Sequence, residues 1–102
     1  MKDLNLIEVF YLNAYRSILR EKGYNPYTAK IFMISEKGIG IFYAANLQLK
    51  SNDNINFNVL ALERYLLDCN EYEAKTDFMK TELKNGKVYA TNLKNKILSE
   101  LS

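Results

Sequence analysis

Apolar residues recur at helical spacing over the first part of the chain, between residues 4 and 22. The positions that share one side of such a helix are Ile7, Phe10, Ala14 and Ile18. Asp3 is suited to cap its start, and Gly23 to end it, because glycine readily adopts the left-handed backbone that follows many helices. The pattern predicts a first helix. A turn at residues 24–27 should follow, since Pro26 disfavours helical dihedrals in the residue before it.

The next stretch is rich in β-branched and aromatic residues and predicts a hairpin. Its strands should cover residues 28–36 and 41–46, joined through residues 37–40. A polar connector at residues 51–54 then leads into a second predicted helix. The apolar stripe of that helix consists of Ile55, Val59, Leu62, Leu66 and Cys69.

The hairpin sequence returns further along the chain. Residues 32–47, shifted by 46 positions, match residues 78–93 at eight of sixteen positions. Random pairing would match at about one position, so the pattern indicates an internal repeat. In the second copy the turn would fall at Asn85-Gly86, the strongest short hairpin signal. The first helix also aligns weakly with the second at a shift of 50 positions.

These patterns predict an α+β fold built from tandem duplicated helix plus β-hairpin units, α-β-β twice, with a pseudo-twofold relation between them. The units would cover about residues 4–50 and 54–101 of one compact domain spanning residues 1–102. A short C-terminal helix should close the fold. Its apolar face is formed by Leu93, Ile97, Leu98 and Leu101.

The first hairpin is apolar on both faces, whereas the second would be polar on one. Met33, Ser35, Phe42 and Ala44 form the face that resembles a core face. The opposite face carries the candidate partner-binding residues, which are Phe32, Ile34, Ile41, Tyr43 and Leu47. Either the rest of the chain covers this second face, or part of it is a groove between the two repeats that holds a peptide segment of a protein partner.

Lysines concentrate in the second copy and indicate an alternative function. The candidate nucleic-acid-binding residues are Lys80, Lys84, Lys87 and Lys94. On the second hairpin they would form a basic strand face, as in a small nucleic-acid-binding regulator. Acidic residues interleave with them, and a solvated sheet face carries charges in any case.

Composition narrows the possible chemistry. The chain has no histidine and a single cysteine, Cys69, on the apolar stripe of the second helix. Glu36 and Glu82 recur in both copies, but we interpret them as cross-strand partners of tyrosines and not as catalytic carboxylates. We therefore predict a protein that is not an enzyme, binds no cofactor or metal, and has a protein or peptide partner.

Charge and hydropathy bear on the location of the protein. The formal net charge is +2, and no apolar run approaches the length of a membrane span. The N-terminus does not resemble a signal peptide, because Asp3 lies within it. We expect a soluble intracellular protein that does not interact with membranes.

The length, the abundance of Asn, Lys, Tyr and Ile, and the apparent duplication resemble features of the small orphan proteins of filamentous viruses that infect hyperthermophilic archaea. The resemblance covers the whole chain but rests on no motif with assigned functional residues. It implies an accessory viral protein in the host cell cytoplasm.

Overall fold

The fold is a short hairpin combined with three helices. The computed structural model describes residues 6–36, 39–45 and 51–101 of the chain. Its elements in chain order are helix α1 (Leu6–Glu21), strands β1 (Lys30–Glu36) and β2 (Ile39–Ala45), and helices α2 (Ser51–Glu71) and α3 (Asp77–Leu101). Across the described ranges there is one sheet, with two strands.

The first helix is confirmed, and the predicted glycine follows its last turn. The predicted cap, Asp3, lies outside the described residues. Gly23 has a φ angle of 91°, the left-handed conformation that glycine adopts without a steric penalty. The Gly23 N–H donates to the Arg20 carbonyl at 3.1 Å, and the Tyr24 N–H donates to the Leu19 carbonyl at 3.0 Å. This pair of bonds is the Schellman motif, which satisfies carbonyls at the C-terminus of α1.

The first hairpin is also confirmed, together with the predicted division of its faces. Strand β2 begins earlier than predicted, because residues 39 and 40 pair with β1 and do not belong to the turn. Strand β1 pairs antiparallel with β2, and the register sets Met33 opposite Phe42 and Ile34 opposite Ile41. Directly opposite residues share a face. The core face therefore holds Ile31, Met33, Phe42 and Ala44. The outer face of the hairpin holds Phe32, Ile34, Ile41 and Tyr43.

The predicted second hairpin is wrong. Residues 77–101 form one continuous helix, α3, which also contains the segment that we predicted as a separate C-terminal helix. The Thr76 hydroxyl accepts a hydrogen bond from the Met79 N–H at 3.1 Å, which caps the start of α3. The fold is therefore not α-β-β twice with a pseudo-twofold relation, and the described chain has no seam between equivalent units.

Two physical reasons explain why the second copy is helical despite its similarity to the first. The similarity fails at the β-branched positions, where Ile34, Ile39 and Ile41 are replaced by Lys80, Asn85 and Lys87. In addition, the buried residues of the second copy follow steps of three and four, the period of a helix. These residues are Leu83, Gly86, Ala90, Leu93 and Ile97. Burial of this stripe outweighs the turn preference of Asn85-Gly86.

The core lies between the helices and the core face of the hairpin. Helix α2 packs against both α1 and α3, and Tyr11 and Tyr15 of α1 lie over Phe42 with ring centroids 4.5 and 5.9 Å away. Phe42 is fully buried, as are Tyr15 and Leu19. None of the described helices combines the length and apolar character that a membrane span requires.

Candidate functional site

One edge of the hairpin is closed by two side chains of α2. Asn58 accepts a hydrogen bond from the Phe42 N–H at 2.8 Å and donates from Nδ2 to the Phe42 carbonyl at 2.7 Å. One turn earlier, Asn54 Oδ1 accepts from the Ala44 N–H at 3.1 Å. The two amides thus form bonds that an additional strand would otherwise form along β2. We call Asn54 and Asn58 the asparagine pair.

Two tyrosines of α1 complete this buried network. The Tyr15 hydroxyl donates to Asn54 Oδ1 at 2.7 Å, and the Tyr11 hydroxyl donates to Asn58 Oδ1. Burial raises the pKa of both phenols, in the case of Tyr11 well above its usual value. Both hydroxyls therefore stay protonated and remain donors. The network fixes β2 between α1 and α2.

The opposite edge of the hairpin, along β1, is open as far as the described residues show. Because the N–H and C=O of Phe42 point to α2, Met33 opposite it directs its own backbone groups away from β2. By the same alternation, Ile31 and Ser35 also direct theirs outward. No backbone group within the described ranges pairs with these three residues on that side. We call these outward backbone groups of Ile31, Met33 and Ser35 the open edge.

The outer face of the hairpin is only partly covered. Ile41 is 6 % exposed and belongs to the core, whereas Ile34 and Tyr43 are half-buried and Phe32 is 42 % exposed. The Phe32 and Tyr43 rings are stacked, with centroids 6.1 Å apart and an interplanar angle of 16°. The structure thus unites four of the predicted partner-binding residues on one face. The fifth, Leu47, lies outside the described residues.

The two strands differ in how far the rest of the chain covers their residues on the outer face. On β2, Ile39 and Ile41 are buried, which matches the alternative in which the chain covers this face. On β1, Phe32 and Ile34 keep accessible apolar surface beside the open edge. The part of the face that remains available for a partner is therefore the part that adjoins unpaired backbone groups.

The four predicted lysines lie on α3 and not on a strand. Lys80, Lys84, Lys87 and Lys94 recur at steps of four, three and seven, so they share one helix face over about 21 Å. We call this set the lysine stripe. Its first three members border an open cleft of about 470 Å³ together with Tyr72 and Val88. As far as the chain is described, none of the four forms an ion pair.

Cys69 lies beside this cleft but is poorly placed for nucleophilic chemistry. Its side chain is buried near the C-terminal end of α2. Burial raises the pKa of the thiol, although hydrogen bonding to Tyr65 and the charge of Lys87 oppose that effect. The thiol is therefore protonated at neutral pH. Within the described ranges, no three His, Cys, Asp or Glu side chains form a group that could hold a metal ion.

No protein-family model, curated protein or solved structure matches this chain. The site therefore has to be interpreted from its own geometry. Neither the asparagine pair nor the open edge was predicted from the sequence. A signal for the former was present, because Asn54, Asn58 and Leu62 follow steps of four and so lie on one side of α2, in line with its apolar stripe.

Proposed function

We propose that this protein is a non-enzymatic protein-interaction module that binds an extended segment of a partner at β1. The observation that carries the proposal is the coincidence of the open edge with the accessible half of the outer face. An added strand would bond to the backbone of Ile31, Met33 and Ser35, as in β-strand addition. Its apolar side chains would contact Phe32 and Ile34.

The proposal is supported by the contrast between the closed edge of the hairpin at β2 and its unprotected edge at β1. The asparagine pair satisfies the edge of β2, while the centre of β1, residues 31–34, carries neither a charge nor a proline. Proteins usually protect exposed strand edges with such residues, because an unprotected edge recruits other strands. The chain thus directs strand addition to β1.

Peptide selection tests the proposal without knowledge of the natural partner. Random peptides selected on the immobilised protein should contain alternating apolar residues. The Phe32→Asp variant should bind these peptides at least about tenfold more weakly, because it places a charge within an apolar contact. Phe78→Asp is the matched control, because Phe78 is a 68 % exposed aromatic residue on α3. Titration calorimetry with one selected peptide compares the variants.

Selected peptides that bind the Phe32→Asp and Phe78→Asp proteins equally well would contradict the proposal. Ile41→Asp is unsuitable for this test, because Ile41 is buried and a charge there would unfold the hairpin.

The role of a viral accessory protein, which the resemblance implies, stays a prediction.

The lysine stripe favours a second candidate function, binding of nucleic acid. Four cations on one helix face, with no described carboxylate paired to them, form a basic surface of the kind that contacts phosphates. The cleft beside them also exposes the aromatic ring of Tyr72, on which a base could stack. This candidate is the regulator predicted from the sequence, carried by a helix and not by a second hairpin.

Charge reversal tests this second candidate. The double variant Lys80→Glu with Lys87→Glu should not bind oligonucleotides in a mobility-shift assay. For the unmodified protein, the logarithm of the binding constant on duplex DNA should fall with the logarithm of the salt concentration, with a slope of about 0.9 per phosphate contact. Lys22→Glu with Lys75→Glu changes the net charge equally but lies off the stripe. Equal binding by both double variants would exclude the stripe as a nucleic-acid site.

A further inference from the structure

We infer that the strand added to β1 comes from a second copy of this chain, so that two molecules form a four-stranded antiparallel sheet in the order β2-β1-β1-β2. This inference rests on the proposed function and names the partner. In the inferred register, Met33 lies opposite Met33 of the second copy on a twofold axis. Three independent features of β1 select this arrangement.

The direction of the backbone groups is the first feature. In an antiparallel pair, a hydrogen-bonded position must face another residue whose N–H and C=O also point across the interface. The inferred register sets Met33 opposite Met33, and Ile31 opposite Ser35 in both directions. All three outward positions of each copy then form hydrogen-bonded pairs, roughly six bonds in total.

The distribution of charge is the second feature. Strand β1 begins with Lys30 and ends with Glu36, at equal distances from Met33. The inferred register therefore sets each Lys30 opposite Glu36 of the other copy, and opposite charges at such positions are mutually stabilising. A shift by two residues, the smallest that keeps the backbone groups matched, sets Lys30 opposite Ile34 or Glu36 opposite Phe32.

The apolar surface is the third feature. Phe32 lies opposite Ile34 of the second copy in this register, and the pair occurs twice around the axis. Both residues lie on the outer face of the hairpin, where Phe32 is stacked on Tyr43. Dimerisation would bury part of the Phe32 and Ile34 side chains against each other. It would also convert a two-stranded sheet into one of four strands, a size that is more stable in water.

Sedimentation equilibrium of the full chain tests this inference over a wide range of protein concentration. The expected species at high concentration has a mass of about 24 kDa, twice the 11.9 kDa of the chain. Lys30→Glu should weaken the dimer about tenfold, because it sets like charges opposite each other at two places. Adding Glu36→Lys to Lys30→Glu should restore the dimer, since the swapped pair is again of opposite charge.

Ser35→Pro provides a second test that leaves the β1–β2 ladder intact. The Ser35 N–H points to the open edge, so a proline there removes a donor that the β1–β2 ladder does not use and that the dimer needs. We expect Ser35→Pro to be monomeric and Ser35→Ala to dimerise. Circular dichroism confirms that each variant is folded.

The possible outcomes separate this inference from the proposed function. A wild-type chain that stays monomeric, while selected peptides still bind through Phe32, would overturn the inference and leave the interaction module standing with a foreign strand as its partner. A dimer that resists Ser35→Pro would use another surface and would also overturn the inference. Equal weakening by Lys30→Glu alone and by the charge-swapped double variant would contradict the inferred register.

Discussion

Replacing Asn58 with alanine is expected to lower the free energy of unfolding by at least about 3 kcal/mol. The side chain is fully buried and bonds to both backbone groups of Phe42 and to the Tyr11 hydroxyl. Alanine would leave all three groups without that partner and away from water, and each such loss costs about 1–3 kcal/mol. Small domains have only about 5–15 kcal/mol of total stability, so the variant should be barely folded.

Urea denaturation followed by circular dichroism measures this effect. The control is Asn56→Ala, because Asn56 lies on the exposed side of the same helix and should change the free energy of unfolding by no more than about 0.5 kcal/mol. If both substitutions had the same small effect, the asparagine pair would not be what holds β2 in place. The hydrogen-bonded closure of that edge would then be irrelevant to stability.

The asparagine pair also shows where prediction from the sequence reached its limit. We predicted the second helix, but we interpreted residues 51–54, including Asn54, as a connector that caps its start. Helix α2 already begins at Ser51, so Asn54 lies in its first turn. Its actual partners, Tyr15 and Ala44, are 39 and 10 residues away along the chain. Such bonds depend on how the hairpin docks against α2, which no local pattern encodes. A polar residue that extends an apolar stripe is the only local sign of them.

The two hairpin-like segments illustrate a different limit. The faces of the first hairpin were predicted correctly, because strict alternation assigns each residue to one side whatever covers it. The second segment carries the stronger turn signal, Asn85-Gly86, but its structure is decided by tertiary packing of a helical stripe against α2. The identical residues mark neither a shared backbone conformation nor equivalent units. Leu83, Ala90, Leu93 and Ile97 already showed the helical period in the sequence.

The candidate site was predictable in part for the same reasons. Alternation alone grouped Phe32, Ile34, Ile41 and Tyr43, but their burial depends on neighbouring elements and differs between the two strands. The open edge could not be predicted, since the sequence does not show which strand of a hairpin faces a helix. The lysine stripe, in contrast, was grouped correctly although its secondary structure was not. Its members were named on a wrong secondary structure, yet the helical spacing also sets them on one face.

Gly86 is part of the Asn85-Gly86 turn signal, but in the structure it lies in α3 at a close contact with α2. An added Cβ at this position would overlap the Tyr65 hydroxyl and lie 3.3 Å from Tyr65 Cζ and 3.5 Å from Ile7 Cγ1. Tyr65 is 2 % exposed, and its ring packs against Phe10 with centroids 6.4 Å apart. A methyl group at this position would therefore have to displace a buried ring. Glycine at this position permits the close approach of α3 to α2, and no turn is involved.

Replacing Gly86 with alanine is expected to lower the free energy of unfolding by up to about 2 kcal/mol. Alanine improves the helix propensity of α3 by about 1 kcal/mol, but forcing a methyl group into a packed contact costs about 1–3 kcal/mol. The second effect should prevail because the methyl group meets a buried ring. The effect has the opposite sign from that in an exposed helix, where the same substitution is stabilising.

A double-mutant cycle with Tyr65→Phe separates the two contributions. Removing the hydroxyl relieves the overlap, so Gly86→Ala should cost at least about 1 kcal/mol less in the Tyr65→Phe variant than in the wild type. Urea denaturation of the four proteins measures this coupling. Additive effects would mean that the hydroxyl does not oppose the methyl group and that α3 crosses α2 at some other point. A strong coupling would instead establish that Gly86 serves helix packing, which is why Asn85-Gly86 forms no hairpin here.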